Sequence, residues 1–165
     1  MVVETSSPIS IGFQLRGAMP RNSTDVFLRR FPDCIGEAIK QCSAVVFAGC
    51  PQVTQLVVMS LYKLGYEPVV RTGKVRTWEG EPVTHVWVEL PDAGLRIETN
   101  PSQIFGLPVS ILMTSIQRGL DRYKNGKVLE NWSEFPALLL TPEGEAYFDK
   151  LSDQVVSCLS KERKR

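Results

Sequence analysis

One histidine and four cysteines limit the nucleophile and base chemistry open to this chain. The histidine is His85, and the cysteines are Cys34, Cys42, Cys50 and Cys158. A zinc site built from two or three histidines is excluded, and no Cys-x-x-Cys pair indicates a zinc ribbon or a thioredoxin-type redox pair. Because a chain of this length does not need disulfides, we expect free thiols in a reducing compartment. Core packing explains the positions of Cys34, Cys42 and Cys158.

Cys50 stands out because a helix is predicted to start at it. Pro51 suits the first helical position and Gly65 suits the position after the last turn, with an apolar stripe between them. The helix dipole and the oriented N–H groups at such a start favour a thiolate over a thiol. The same N–H groups are able to receive an oxyanion.

His85 is the base available to that thiol. It lies on a predicted strand whose alternation turns His85, Trp87 and Glu89 to one face. Glu98 comes on the next predicted strand, where a carboxylate can accept the other imidazole N–H and fix its tautomer. Asn100, two residues further on, is the competing candidate for that role.

The elements around these residues predict an α+β fold. Three strands joined by short turns form an antiparallel meander over about 68–78, 83–90 and 95–99. Helices precede it: one ends near Phe31 after capping residues at 22–25, one follows Asp33, and one starts at Cys50. Later helices are predicted over 110–119 and from Pro142 to the Lys/Arg tail. The expected organisation is an arm at 1–21 and a single catalytic-type domain at 22–165, with helices over 104–165.

The order of these motifs resembles the transglutaminase-like branch of the papain-like cysteine protease superfamily. A Cys opens the core helix, Leu64-Gly65 follows four turns later, and Thr72-Gly73-Lys74-Val75 forms a Gly-containing strand break. His85-Val86-Trp87 matches the "HxW" strand, and a strand bearing an acid follows. The resemblance covers about 49–103, within a core of about 34–103. It implies a helix bearing an N-terminal Cys packed on an antiparallel sheet.

Residue by residue, the resemblance implies Cys50 as nucleophile, His85 as base and Glu98 as third member. The family usually has Asp in the third position, so Glu98 is one methylene longer and Asn100 stays open. Gln41 is a candidate for the oxyanion-hole side chain, upstream of the Cys. We expect Trp87 to belong to the core or to the cleft wall, where it is the candidate for a substrate contact.

The expected function is thiol-dependent acyl transfer through a thioester. Water as acceptor gives a peptidase, amidase or deamidase acting on a peptide, protein or small amide, and an amine as acceptor gives a transglutaminase. Hydrolysis is favoured because it needs no second binding site, and no metal or organic cofactor is required. The alternatives are a non-catalytic papain-like binding module, a regulatory domain that binds a partner through the arm, and a metal site.

Composition narrows the partners and the location. The 165 residues are 43% hydrophobic, too apolar for a disordered chain, and 19 basic residues nearly balance 18 acidic ones. The formal net charge of +1 is not the strong positive charge that is typical of nucleic-acid-binding proteins. The start shows no secretory signal, and no run approaches the roughly 18 apolar residues of a membrane span. We therefore expect a cytoplasmic protein with no nucleic-acid or membrane partner, although export without a cleaved signal stays open.

Overall fold

The computed structural model describes residues 28–42, 50–124, 126–130 and 142–161, and of Cys50 it describes the backbone. The predicted arm at 1–21 and the capping residues at 22–25 lie outside this part. The helices are α1 (Phe31–Lys40), α2 (Cys50–Lys63), α3 (Pro101–Phe105), α4 (Leu120–Tyr123) and α5 (Pro142–Ser160). The strands are β1 (Val69–Arg76), β2 (Pro82–Leu90), β3 (Leu95–Glu98), β4 (Leu112–Ser115) and β5 (Lys127–Val128).

The five strands form one antiparallel sheet in the order β4-β3-β2-β1-β5. The predicted meander is confirmed as β1, β2 and β3, and the α+β class is confirmed with it. Glycine fixes the chain reversals: Gly65 after α2 has φ +84° and Gly94 before β3 has φ +64°, backbone conformations that favour residues without a Cβ.

The main core lies between the sheet and the helices α1, α2 and α5. Alternate residues of β2, namely Val86, Val88 and Leu90, pack there against Leu56 and Leu61 of α2. Because side chains of a strand alternate between its faces, the residues between them point to the other side of the sheet. The helices therefore cover one face, and a different set of segments covers the face that carries His85.

A disulfide between Cys34 of α1 and Cys158 of α5 corrects the expectation of free thiols. The two Cα atoms are 5.8 Å apart although 124 positions separate them in the chain. The physical reason is the packing of α1 against α5, which spacing along the sequence does not reveal. Cys42 is a half-buried free thiol whose Sγ donates to the Ala38 carbonyl at 3.1 Å. Since disulfides persist in oxidising compartments, the cytoplasmic location stays a prediction that the free-thiol argument no longer supports.

The predicted helix over 110–119 is wrong, because Leu112–Ser115 is the edge strand β4. Ile97 of β3 pairs with Met113, and Glu98 pairs with Leu112. The apolar run Ile111-Leu112-Met113 suits a helix and a strand alike, and pairing with β3 decides between them. The region 104–165, expected to be helical, thus also contributes β4 and β5. The terminal helix starting at Pro142 is confirmed as α5.

The structure contains no candidate for a membrane-crossing helix among the residues it describes.

Candidate active site

The predicted facing of β2 is confirmed. Val86 and Val88 belong to the core under the helices, whereas Trp87 belongs to a second cluster with Val75 and Tyr123. The rings of His85 and Trp87 are stacked with centroids 6.3 Å apart. His85 therefore lies on the face of the sheet opposite α1, α2 and α5.

His85 and Glu98 form a buried ion-pair geometry on that face. His85 Nε2 lies 2.6 Å from Glu98 Oε1, and each side chain is only 1% exposed. Glu98 is the last residue of β3. Because Val88 pairs with Ile97 in the antiparallel register, Glu98 lies diagonally across from His85 on the neighbouring strand. The length that Glu adds over Asp is thus accommodated, and Nδ1 is the ring nitrogen on the side away from Glu98 Oε1.

Asn100, the competing candidate for orienting His85, contacts Glu98 through its backbone N–H. Its N–H donates to Glu98 Oε1 at 2.8 Å. Its side-chain amide donates to Gln103 Oε1 at 3.0 Å and accepts from Ser102 Oγ at 3.1 Å. Between the two candidates, the structure brings Glu98 to the imidazole.

Tyr123, which the sequence did not single out, completes the shell of Glu98. Its hydroxyl donates to Glu98 Oε2 at 2.8 Å. Burial raises the pKa of Tyr123, and the neighbouring Glu98 carboxylate raises it further, so the phenol remains a donor at neutral pH. Tyr123 ends the four-residue helix α4, and no motif marks it. The packing of α4 on β1, with the Tyr123 ring against Trp87, makes it part of the site.

Two buried charges extend the polar network beyond Tyr123. The Arg96 guanidinium lies 4.1 Å from the centre of the Tyr123 ring and 3.8 Å from Glu89 Oε1 through its Nε. Glu89 also accepts from Arg71 Nε at 2.6 Å and from the Trp87 indole at 3.1 Å. Burial lowers the pKa of Arg96, and the nearby acidic groups oppose that change. The network pairs each buried charge with an opposite one, as a low-dielectric site requires.

Trp87 is a wall of the site with no exposed surface. Its side chain is buried completely and packs against Tyr123 at 5.0 Å between ring centroids. A Cβ added at Gly126 would collide with the outer edge of the indole, so a glycine is required where the chain passes Trp87. The expectation of core or wall packing fits this position, whereas a direct substrate contact does not.

Cys50 is the first residue of α2, as the sequence predicted, and its side chain lies outside the described part of the structure. The first turns of α2 are attached to the strands that carry His85 and Glu98. Thr54 Oγ1 lies 2.8 Å from Thr99 Oγ1, and Thr99 donates to the Val86 carbonyl at 3.4 Å. These partners are the chain neighbours of Glu98 and His85. Cys50 precedes Thr54 by one helical turn, about 5–6 Å along the axis.

The strand β3 ends where this attachment is made. Its paired residues run from Leu95 to Ile97 opposite Leu90 to Val88. The stretch of β2 from Pro82 to Val86 consequently extends past the paired residues of β3.

Gln41 lies elsewhere. It is exposed and directly follows α1. It lines a groove between α1 and α5, the helices that cover the face of the sheet opposite His85. Within the described residues it makes no hydrogen bond to His85 or Glu98, so its oxyanion-hole role stays a prediction. No group of three His, Cys, Asp or Glu side chains in this part of the chain is arranged to hold a metal ion.

Comparison of the chain with protein-family models, curated proteins and solved structures finds no match.

Proposed function

We propose that this protein is a thiol-dependent acyl-transfer enzyme of the transglutaminase-like, papain-like type, hydrolysing an amide bond of a peptide, protein or small amide. Cys50 is the nucleophile, His85 the base and Glu98 the residue that orients the base. The observation that carries the proposal is the buried His85–Glu98 pair, 2.6 Å apart. A carboxylate on one imidazole nitrogen is what a thiol–imidazole pair needs to hold the ring in one tautomer and to stabilise its charged form.

The attachment of α2 supports the choice of Cys50 as the partner of that pair. Thr54 and Thr99 tie the helix to the ends of the strands within one turn of Cys50. A thiol on the first residue of a helix is also the thiol whose pKa the helix lowers. Cys34 and Cys158 are joined in a disulfide and have no free thiol. The Cys42 thiol donates to the Ala38 carbonyl near the end of α1.

The proposed reaction proceeds in two halves. The Cys50 thiolate attacks the amide carbonyl carbon, and the N–H groups at the start of α2 donate to the oxyanion that forms. The C–N bond breaks as His85 gives its Nδ1 proton to the leaving amine, which yields a thioester. Water then attacks the thioester, His85 takes its proton, and the C–S bond breaks to release the carboxylic acid and the thiolate. Glu98 accepts from Nε2–H throughout.

Tyr123 acts as a positioning residue in this scheme. Its hydroxyl fixes the second oxygen of Glu98, while the Asn100 N–H shares the first oxygen with His85. These contacts hold the carboxylate in one orientation, and its hydrogen bond to Nε2 then fixes the orientation of the imidazole.

Alkylation of the thiols by iodoacetamide near pH 6, read residue by residue by mass spectrometry, tests the proposal. Cys50 is expected to react at least about tenfold faster than Cys42, because an ordinary thiol with a pKa near 8.5 is almost wholly protonated at that pH. The variant His85→Ala should bring Cys50 down to the rate of Cys42.

Equal slow alkylation of Cys50 and Cys42 in the folded wild-type protein would overturn the proposal. So would a Cys50 rate that is the same in His85→Ala and in the wild type, provided that circular dichroism shows both to be folded. Either result favours the non-catalytic binding module, in which the buried His85–Glu98 pair serves the sheet alone.

A further inference from the structure

A groove of about 560 Å³ beside β1 and α4 carries a concentration of positive charge. Four cationic side chains line it, and one carboxylate, Asp121, opposes them. The cations are Lys74, Arg76, Arg122 and Lys124. A local excess of three positive charges is notable in a chain whose formal net charge is +1.

Two of these cations are held in place by the protein. Arg122 donates through Nη1 to the Arg76 carbonyl at 2.9 Å and to the Ile104 carbonyl at 2.6 Å. Its guanidinium also lies 4.9 Å from the centre of the Phe105 ring. Lys74 donates to Thr84 Oγ1 at 2.7 Å across the β1–β2 pair. Fixed cations lose less conformational freedom when they bind an anion than free lysines do.

The groove lies beside residues that pack around the candidate active site. Thr84, the partner of Lys74, directly precedes His85, and Gly73 pairs with His85 across the strands. Arg122 directly precedes Tyr123, whose hydroxyl holds Glu98. Because Thr84 alternates with His85 along β2, Thr84 and Lys74 point to the other face of the sheet. The groove reaches the face of His85 through Val75, which lines the groove and packs in the same cluster as Trp87 and Tyr123.

We infer that this groove binds the carboxylates of an acidic peptide segment and so directs acidic substrates to the site. The inference rests on the proposed function in one respect: a reaction at an amide requires the anion to be part of an amide-bearing molecule. Nucleic acid is the less suitable occupant, because the near-neutral chain offers one short cationic groove instead of an extended basic surface.

The test uses two peptides with the same length and a reactive N-terminal chloroacetyl group, one with three Glu residues and one with three Gln residues. Labelling of Cys50 by the Glu peptide should be at least about tenfold faster than by the Gln peptide at about 20 mM ionic strength. The preference should fall to within about twofold at about 0.5 M salt, where the Debye length is only a few ångströms.

The variant Lys74→Glu/Lys124→Glu should abolish the preference for the Glu peptide, measured as the ratio of the two labelling rates within that variant. Its matched control is Lys150→Glu/Lys161→Glu, which makes the same change of net charge on exposed residues of α5 and the turn after it. The control is expected to keep the preference. Equal rates of the two peptides in the wild type, or equal loss in both variants, would overturn the inference and leave the proposed function standing.

Binding of the same Glu peptide without its chloroacetyl group, followed by fluorescence anisotropy on Cys50→Ala, separates the two proposals. Slow labelling of Cys50 by both chloroacetyl peptides contradicts the proposed function. The anisotropy measurement then still tests whether the groove binds the Glu peptide. Binding that the Lys74→Glu/Lys124→Glu variant abolishes supports the groove. A single-stranded oligodeoxynucleotide of equal charge that binds more tightly at the same salt concentration refutes the choice of an acidic peptide.

Discussion

Replacing Glu98 by Gln removes one negative charge from the centre of the buried network while nearly keeping its shape. The carboxylate accepts from His85 Nε2, from the Asn100 N–H and from the Tyr123 hydroxyl, at 2.6, 2.8 and 2.8 Å. An amide oxygen can keep the first two contacts, and its NH₂ group then faces Tyr123, whose hydroxyl can turn to accept. The substitution therefore mainly removes the charge that stabilises the imidazolium form of His85.

The size of the effect follows from that lost interaction. A hydrogen bond to a charged group contributes about 1.5–3 kcal/mol, and the 1% exposure of both side chains leaves little solvent to replace it. A loss of about 2 kcal/mol in the stability of a thiolate–imidazolium pair corresponds to about a 30-fold lower population of that pair. Glu98→Gln should therefore slow the alkylation of Cys50 by iodoacetamide at pH 6 by about 30-fold.

The assay compares Cys50 with Cys42 in the same molecule, so differences in reagent or in handling cancel. Glu98→Asp keeps the charge and should recover most of the rate. Glu145→Gln, an exposed residue of α5, is the matched control and should behave as the wild type. A folded Glu98→Gln protein whose Cys50 reacts within about threefold of the wild-type rate would refute the reasoning, because the pair would then have no connection to the thiol.

Two further predictions concern stability. Closing a loop between positions 124 apart removes about 5 kcal/mol of conformational freedom from the unfolded chain, so Cys34→Ser/Cys158→Ser should lower the free energy of unfolding by about that amount in urea titrations. An unchanged midpoint would contradict it, and Cys42→Ser is the control. Because burial and then Glu98 raise the pKa of Tyr123, the native phenol keeps its proton above pH 10 where the unfolded one loses it. The free energy of unfolding should therefore fall above about pH 10 more steeply in the wild type than in Tyr123→Phe, by up to about 1.4 kcal/mol per pH unit, and parallel curves would count against this.

The sequence predicts the elements whose limits are marked by local backbone chemistry. Pro51 and Gly65 mark α2, and the helix begins at Cys50 as expected. Period-two alternation predicts β2 and its facing, and the short turn before β3 places Glu98 within reach of His85. Each of these inferences uses one short continuous segment of the sequence, such as the 14 residues of α2 or the 13 positions between His85 and Glu98.

The missed features depend on contacts between distant segments. The run at Ile111–Met113 has the same apolar pattern in a helix and in a strand, and only pairing with β3 makes it β4. The Cys34–Cys158 disulfide depends on the packing of α1 against α5. Tyr123 reaches Glu98 over 25 positions, through a helix of four residues that has no distinctive pattern of its own.

The two faces of the sheet separate stability from the proposed chemistry. Val86 and Val88 bury apolar surface under the helices, while His85, Trp87 and Glu89 belong to a polar network on the other face. One strand serves both because its alternation assigns neighbouring residues to different environments. A buried polar network of this kind costs desolvation free energy for each charge, and an apolar layer would stabilise the sheet at least as well. Its fixed hydrogen bonds restrict orientation, and restricted orientation is what a catalytic imidazole needs from its surroundings.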